Sequence, residues 1–124
     1  MFPYANNDVS YWTGYFSSRA NDKEYIRRAE HTLHASNKVF AMNSLNQEVL
    51  NHSNFAHKAV VTKDKMMDIV GVIQHHDAVA GTSTQHVADD YARQIFNGLE
   101  DTNPVYAEAL NFWAAKSGFV ANEW

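Results

Sequence analysis

Apolar residues at helical spacing constrain this chain more than any other feature. From Asp22 onward Ile26, Ala29, Leu33 and Phe40 recur at steps of three, four and seven; Met66, Ile69, Val70 and Ile73 share a second face; and Val87, Tyr91 and Ile95 follow at steps of four. Each pattern lays an apolar stripe along one side of a helix, and three such stripes need a common core. Only 2 Pro and 5 Gly occur among 124 residues, which suits long helices better than the turn-rich strands of a sandwich or barrel. The expectation is an all-α three-helix bundle, with helices near residues 22–47, 63–75 and 84–117.

The boundaries follow from local chemistry. Asp22 can cap the first helix, and Glu24 suits its first turn. The stretch from Gln47 to Lys63 loses the period and collects Asn51, His52, Ser53, Asn54 and His57, so it reads as an irregular connection. Thr82, Ser83 or Thr84 can cap the third helix, whereas Asn97-Gly98 and Thr102-Asn103-Pro104 predict a kink or break before Val105, Tyr106, Ala109, Leu110 and Trp113 resume the pattern. Before the first helix, Phe2, Tyr4, Tyr11, Trp12, Tyr15 and Phe16 crowd an irregular, ordered arm. So many aromatics need a surface: the domain itself, a neighbour or a ligand. Trp12 is either a core anchor or an indole face for a sugar.

With 10 basic and 14 acidic residues the net charge is -4, and no basic run provides a footprint for nucleic acid or an anionic membrane. There is no cysteine, so any metal must be held by His and carboxylate. No apolar run approaches the ~20 residues of a membrane span, and the start at Met1 lacks the pattern of a signal peptide. The sequon Asn51-His52-Ser53 is a glycan acceptor only in a secretory chain.

Chemistry concentrates in Gln74-His75-His76-Asp77 and the following Gly81-Thr82-Ser83, at the expected end of the second helix. A neutral His76 ring can offer a nitrogen to zinc, and Asp77 can offer an oxygen to zinc or to a hydroxylated ligand; a turn that only caps a helix is the plainer reading. His31, His34, Arg27, Arg28 and Glu30 read as solvated positions. Asp89 and Asp90 cannot act as a facing carboxylate pair, because adjacent helical residues diverge, although Asp90 could support the turn. The same divergence argues against a ligand set of His75, His76 and His86, since His86 sits on the next helix.

Two stretches, Tyr11-Trp12-Thr13-Gly14-Tyr15-Phe16-Ser17-Ser18-Arg19 and Gln74-His75-His76-Asp77 through Gln85-His86-Val87-Ala88-Asp89-Asp90-Tyr91, resemble the family 38 glycoside hydrolases, the class II α-mannosidases of lysosome and Golgi. The resemblance implies that residues 1–20 are an aromatic-rich arm from the end of a catalytic domain, and 21–124 a three-helix-bundle middle domain. It implies a zinc-dependent retaining hydrolysis of α-linked mannose in glycans. His76 would be a zinc ligand, Asp77 a partner of sugar hydroxyls and Trp12 a wall of the pocket. One zinc ion would take its remaining ligands, and the reaction its nucleophile, from an upstream domain of the same enzyme. The segment alone is therefore expected to be inactive, and a lysosomal or other secretory-pathway compartment is favoured. Met1 stands where the family usually has Phe and looks like an introduced start, and Ala20 where Pro is common; these departures leave the lysosomal or Golgi subtype open, and His75 reads as a supporting neighbour.

Two other classes of function compete. One is a free-standing helical interaction module whose aromatic arm docks a protein. The other is a small metal-binding protein using His75, His76, Asp77 and His86.

Overall fold

The computed structural model describes residues 4–51, 54–116 and 118. After a short arm come helix α1 (Ala20–Ser44), the one-turn α2 (Gln47–Asn51), α3 (Phe55–Ile73) and α4 (Gln85–Lys116). Helices α1, α3 and α4 pack against one another, and the fold is the all-α three-helix bundle the stripes require. None of the helices among the described residues is long and apolar enough to cross a membrane.

The largest departure from the sequence reading lies between Gln47 and Lys63, which is mostly helical rather than irregular. Phe55, Ala59, Thr62, Met66, Ile69 and Ile73 are buried at alternating steps of four and three, so α3 starts at Phe55. The polar residues between them, His57 and Lys58, occupy the outer face and hide that stripe from a reading by composition. Val49, 2% exposed, anchors α2 in the same way. Asn51 is exposed at the end of α2, while His52 and Ser53 of the sequon lie outside the described residues, as do Met1, Phe2 and Pro3.

Helix α1 begins at Ala20, with Arg19 rather than Asp22 at its N-cap; Asp22 lies inside the first turn. Helix α4 runs unbroken through Pro104. Proline removes one backbone donor, the one that would serve the Glu100 carbonyl, and both residues lie on the exposed side where water can take its place. Asn97-Gly98 is no break either. A Cβ at Gly98 would stand 2.7 Å from Ile69 Cδ1, so its absence lets α3 and α4 approach closely. Thr102, 1% exposed, closes its hydroxyl onto the Gly98 carbonyl at 2.6 Å. Ala88, rather than Val87, is the fully buried residue of the first turn of α4.

The core divides into two clusters along the bundle. One joins Ile26 and Ala29 of α1, Met66, Ile69 and Ile73 of α3, and Ile95 of α4, with Leu33 and Tyr91 packed on its edge. The other joins Phe40, Val49, Phe55, Ala59 and Ala109 at the opposite end. There Asn43 donates to the Ala109 carbonyl at 2.8 Å, a buried polar bridge between α1 and α4. The first cluster supports the end of the bundle where α1 begins, α3 ends and α4 begins, and the motif turn sits on that end.

The arm is ordered by backbone pairing. Strand β1 (Ala5–Asn7) and strand β2 (Ser10–Tyr11) form an antiparallel hairpin in which Ala5 faces Tyr11 and Asn7 faces Ser10. A 3-10 turn over Thr13–Phe16 follows, and Ser18 Oγ donates to the Gly14 carbonyl at 2.8 Å. Trp12 remains 54% exposed and is not a core anchor.

Candidate functional site

The backbone leaves α3 at Ile73, and residues 74–84 bridge to α4. The His75 carbonyl accepts from the Ala78 and Val79 amides, and the Asp77 carbonyl accepts from both Thr82 and Ser83 at 3.1 Å, which folds the segment into a compact turn. Gly81 makes this possible, with φ at 77° and the Ser18 carbonyl so near that a Cβ would lie 2.5 Å from its oxygen. The Thr84 carbonyl accepts from Val87 and Ala88 and so opens α4.

Because the chain is no longer helical here, neighbouring side chains do not diverge as they would on a helix. The rings of His75 and His76 lie 4.2 Å apart between centroids, with 31° between their planes. Donor atoms of His75, His76 and Asp77 all fall within 4.8 Å of one another, and His86, exposed on α4, is not among them. The turn lacks the helical geometry that would keep His75 and His76 apart, contrary to the sequence expectation.

The three side chains differ in what they have left to offer. His75 Nδ1 accepts the Asp77 amide at 3.1 Å, so its neutral ring carries the proton on Nε2 and braces the turn. One Asp77 carboxylate oxygen accepts from the Thr82 hydroxyl at 2.8 Å. The other lies 3.5 Å from His76 Nε2, and the His76 side chain is 83% exposed. Two ligands about 2.0–2.2 Å from a tetrahedral zinc stand roughly 3.4 Å apart, so this pair has a spacing that a shared ion or a shared hydroxyl could use. The exposed His76 ring fits one ligand position, and the described residues near it do not make a closed metal site.

A cavity of about 670 Å³ opens in front of the turn. Trp12, Tyr15 and Phe16 of the arm form its apolar wall, His76, Asp77, Ala80 and Thr82 its turn side, and Lys23 and Arg27 of α1 a charged edge. Tyr15 and Phe16 stack with their ring centroids 4.3 Å apart. The structure thus brings Trp12, His76 and Asp77, from two separated stretches of sequence, to a single cavity.

Charged residues at the start of α1 and at its N-cap hold this turn; of them the sequence reading left Arg27 and Glu30 to solvent and gave Lys23 no role. Arg19 Nη1 donates to the carbonyls of Gly81 at 3.3 Å and Ser83 at 2.6 Å and to Ser83 Oγ at 3.2 Å; Nη2 reaches Gln85 Oε1 at 3.4 Å. Lys23 Nζ donates to the Val79 carbonyl at 2.6 Å, and partial burial pushes its pKa down despite the opposing charge of Asp22. Glu30 accepts from Gln74 Nε2 at 2.7 Å and from Arg27 at 2.6 Å. The signal was present in the sequence, since Arg19, Lys23, Arg27 and Glu30 succeed one another at steps of four, four and three. Asp90, by contrast, does not reach the turn: it pairs with Gln94 and Arg93 along its own helix, and those hydrogen bonds hold its carboxyl below the usual range.

The family model described as Alpha mannosidase middle domain matches residues 10–112 of this chain. The chain belongs to that family. Among relatives, a lysosomal alpha-mannosidase of Dictyostelium discoideum is 40% identical over 114 residues, covering 89% of this chain and 11% of that protein. The lysosomal alpha-mannosidase of Homo sapiens is 38% identical over 110 residues, 89% of this chain and 10% of that protein. A probable alpha-mannosidase of Arabidopsis thaliana is 37% identical over 109 residues, 88% of this chain and 10% of the relative. The chain thus spans about a tenth of the length of the curated relatives it matches. No solved structure matches it.

Proposed function

We infer that this chain serves as the middle-domain part of a zinc-dependent α-mannosidase that removes α-linked mannose from glycans in a lysosomal or related secretory compartment, as its relatives' names suggest. The reading is carried by one observation: Trp12 from the arm and His76 and Asp77 from the turn line one cavity. In this reading His76 donates Nε2 to the zinc, whose other ligands come from the rest of the enzyme, and His75 keeps to its backbone bond. Bound zinc supplies Lewis acidity and orients sugar hydroxyls. Asp77, with one oxygen fixed by Thr82, holds the other ready for a sugar hydroxyl, and the half-exposed indole of Trp12 offers its face to the apolar side of the ring. A retaining glycosidase needs two carboxyl groups about 5–5.5 Å apart across the bond, and Asp89 and Asp90 are each tied to side chains of their own helix. The nucleophile and the acid/base are therefore assigned to the remainder of the longer enzyme, and the 124-residue chain alone is inactive.

The test is made in the full-length α-mannosidase carrying this segment. His76→Ala should lose bound zinc and mannoside hydrolysis together; Asp77→Asn should keep zinc and lose turnover; Trp12→Ala should mainly raise KM. Metal analysis showing a full complement of zinc in His76→Ala would overturn the ligand assignment.

A further inference from the structure

Arg19 occupies a position that is unfavourable on three counts. Its backbone is left-handed, with φ at 49°, although it is not glycine. It caps the N-terminus of α1, where the helix dipole disfavours a cation, and its guanidinium also reaches Gln85, the first residue of α4, at a second N-terminus. The nearest compensation is Asp22, 4.0 Å from Nε. What the side chain gains is a grip on the turn through two carbonyls, a hydroxyl and an amide oxygen. Strained residues that persist because their surroundings hold them cluster at functional sites.

The position of that grip gives it a use. Arg19 follows Ser18, the last residue of the arm, whose carbonyl is pressed against Gly81 of the turn. Gly81 and Ser83 flank Thr82, whose hydroxyl holds the Asp77 carboxylate. One guanidinium therefore fastens the end of the segment carrying Trp12 to the turn carrying His76 and Asp77. Lys23 and Glu30 fasten the same turn farther along, at Val79 and Gln74.

We propose that Arg19, backed by Lys23 and Glu30, is a positioning residue that fixes the His76–Asp77 turn against the Trp12 wall of the cavity. Its effect on catalysis rests on the functional reading above; its effect on the turn does not. The planar fork matters because Nη1 takes the Gly81 and Ser83 carbonyls and Ser83 Oγ while Nη2 reaches Gln85 Oε1 at the same time, whereas the single nitrogen of a lysine ammonium on a flexible stem cannot cover both groups of acceptors in that geometry.

The experiment uses the full-length enzyme with Arg19→Ala and Arg19→Lys, read by steady-state kinetics, zinc content and hydrogen exchange. Arg19→Ala should lower kcat about tenfold to a hundredfold, as expected when reacting groups are displaced by about an ångström. It should keep its zinc and exchange the Thr82 and Ser83 amides at least about tenfold faster, with the α3 amides of Ile69 and Ile73 unchanged. Low-millimolar guanidinium should restore part of the kcat, methylammonium less, and Arg19→Lys should fall between parent and Arg19→Ala. An unaltered exchange rate at Thr82 and Ser83, or a kcat within twofold of the parent, overturns the proposal. So does loss of zinc with faster exchange throughout α3, which marks a merely structural role. If the parent enzyme shows no mannosidase activity, the functional reading fails and the exchange rates alone decide the role of Arg19.

Discussion

Two glycines should respond to the same substitution with opposite signs, and the structure says why. Gly81 has φ at 77°, where an alanine costs roughly 1–2 kcal/mol. A Cβ there would also stand 2.5 Å from the Ser18 carbonyl oxygen and 2.9 Å from its carbon, where ordinary contact begins near 3.4 Å. That carbonyl cannot swing aside, because it belongs to the backbone immediately before Arg19, which is itself held to the turn. Overpacking of this kind adds about 1–3 kcal/mol, and the smaller entropy of the unfolded alanine chain returns about 0.4–1. Gly81→Ala should therefore destabilise the chain by about 2–4 kcal/mol, a large share of a small domain's stability. Gly71 sits inside α3 with nothing within 4 Å of a built Cβ, so Gly71→Ala should stabilise by about 0.5–1 kcal/mol through helix propensity alone. Urea denaturation followed by far-UV circular dichroism measures both, with midpoints that move in opposite directions at constant m. A loss below about 1 kcal/mol for Gly81→Ala, or a comparable loss at Gly71, would refute the claim that neighbour distance and backbone sign decide the outcome.

Other expectations follow from burial and charge. Ile73, 0% exposed in the cluster beneath the turn, should cost about 2–5 kcal/mol when truncated to alanine, while Val61→Ala at 51% exposure should stay within about 0.5; denaturant midpoints compare them directly. Hydrogen bonds from Gln94 and then Arg93 pull the Asp90 carboxyl below its ordinary value of 3.8, so its stabilisation is present above that value and fades as pH falls through the lower folded one. Gln94→Leu should raise the Asp90 titration midpoint seen by carboxyl NMR; an unchanged midpoint would assign the shift to Arg93 instead.

The bundle was legible in the sequence because its stripes are built from large apolar residues at helical steps, and Ile26, Ile69, Ile73 and Ile95 are buried as that pattern requires. What escaped was carried by residues whose type misleads. Thr62, Gly98 and Thr102 lie in the core interfaces through small size or local hydrogen bonding, so a count of hydrophobic letters passes over them, and in α3 the loss of Thr62 beside the outward His57 and Lys58 starts the helix too late. The turn escaped in a different way. Its residues were singled out, but the relation among them was judged by the hundred-degree step of a helix, and the chain has already left α3 when it reaches His75.

The polar face of α1 shows the general point most sharply. On an isolated helix, Arg19, Lys23, Arg27 and Glu30 at steps of four and three read as a solvated, salt-bridged face. In the folded chain, a turn with several backbone carbonyls to satisfy lies along that face, and the same spacing becomes a row of attachments at Gly81, Ser83, Val79 and Gln74. Whether a charged stripe faces water or clasps a neighbour depends on which segment ends beside it, and that is a long-range fact: Arg19 and Ser83 are 64 residues apart in sequence. Local periodicity can place such residues on one face, but only the packing of α1 against the end of α3 turns the face into part of the site.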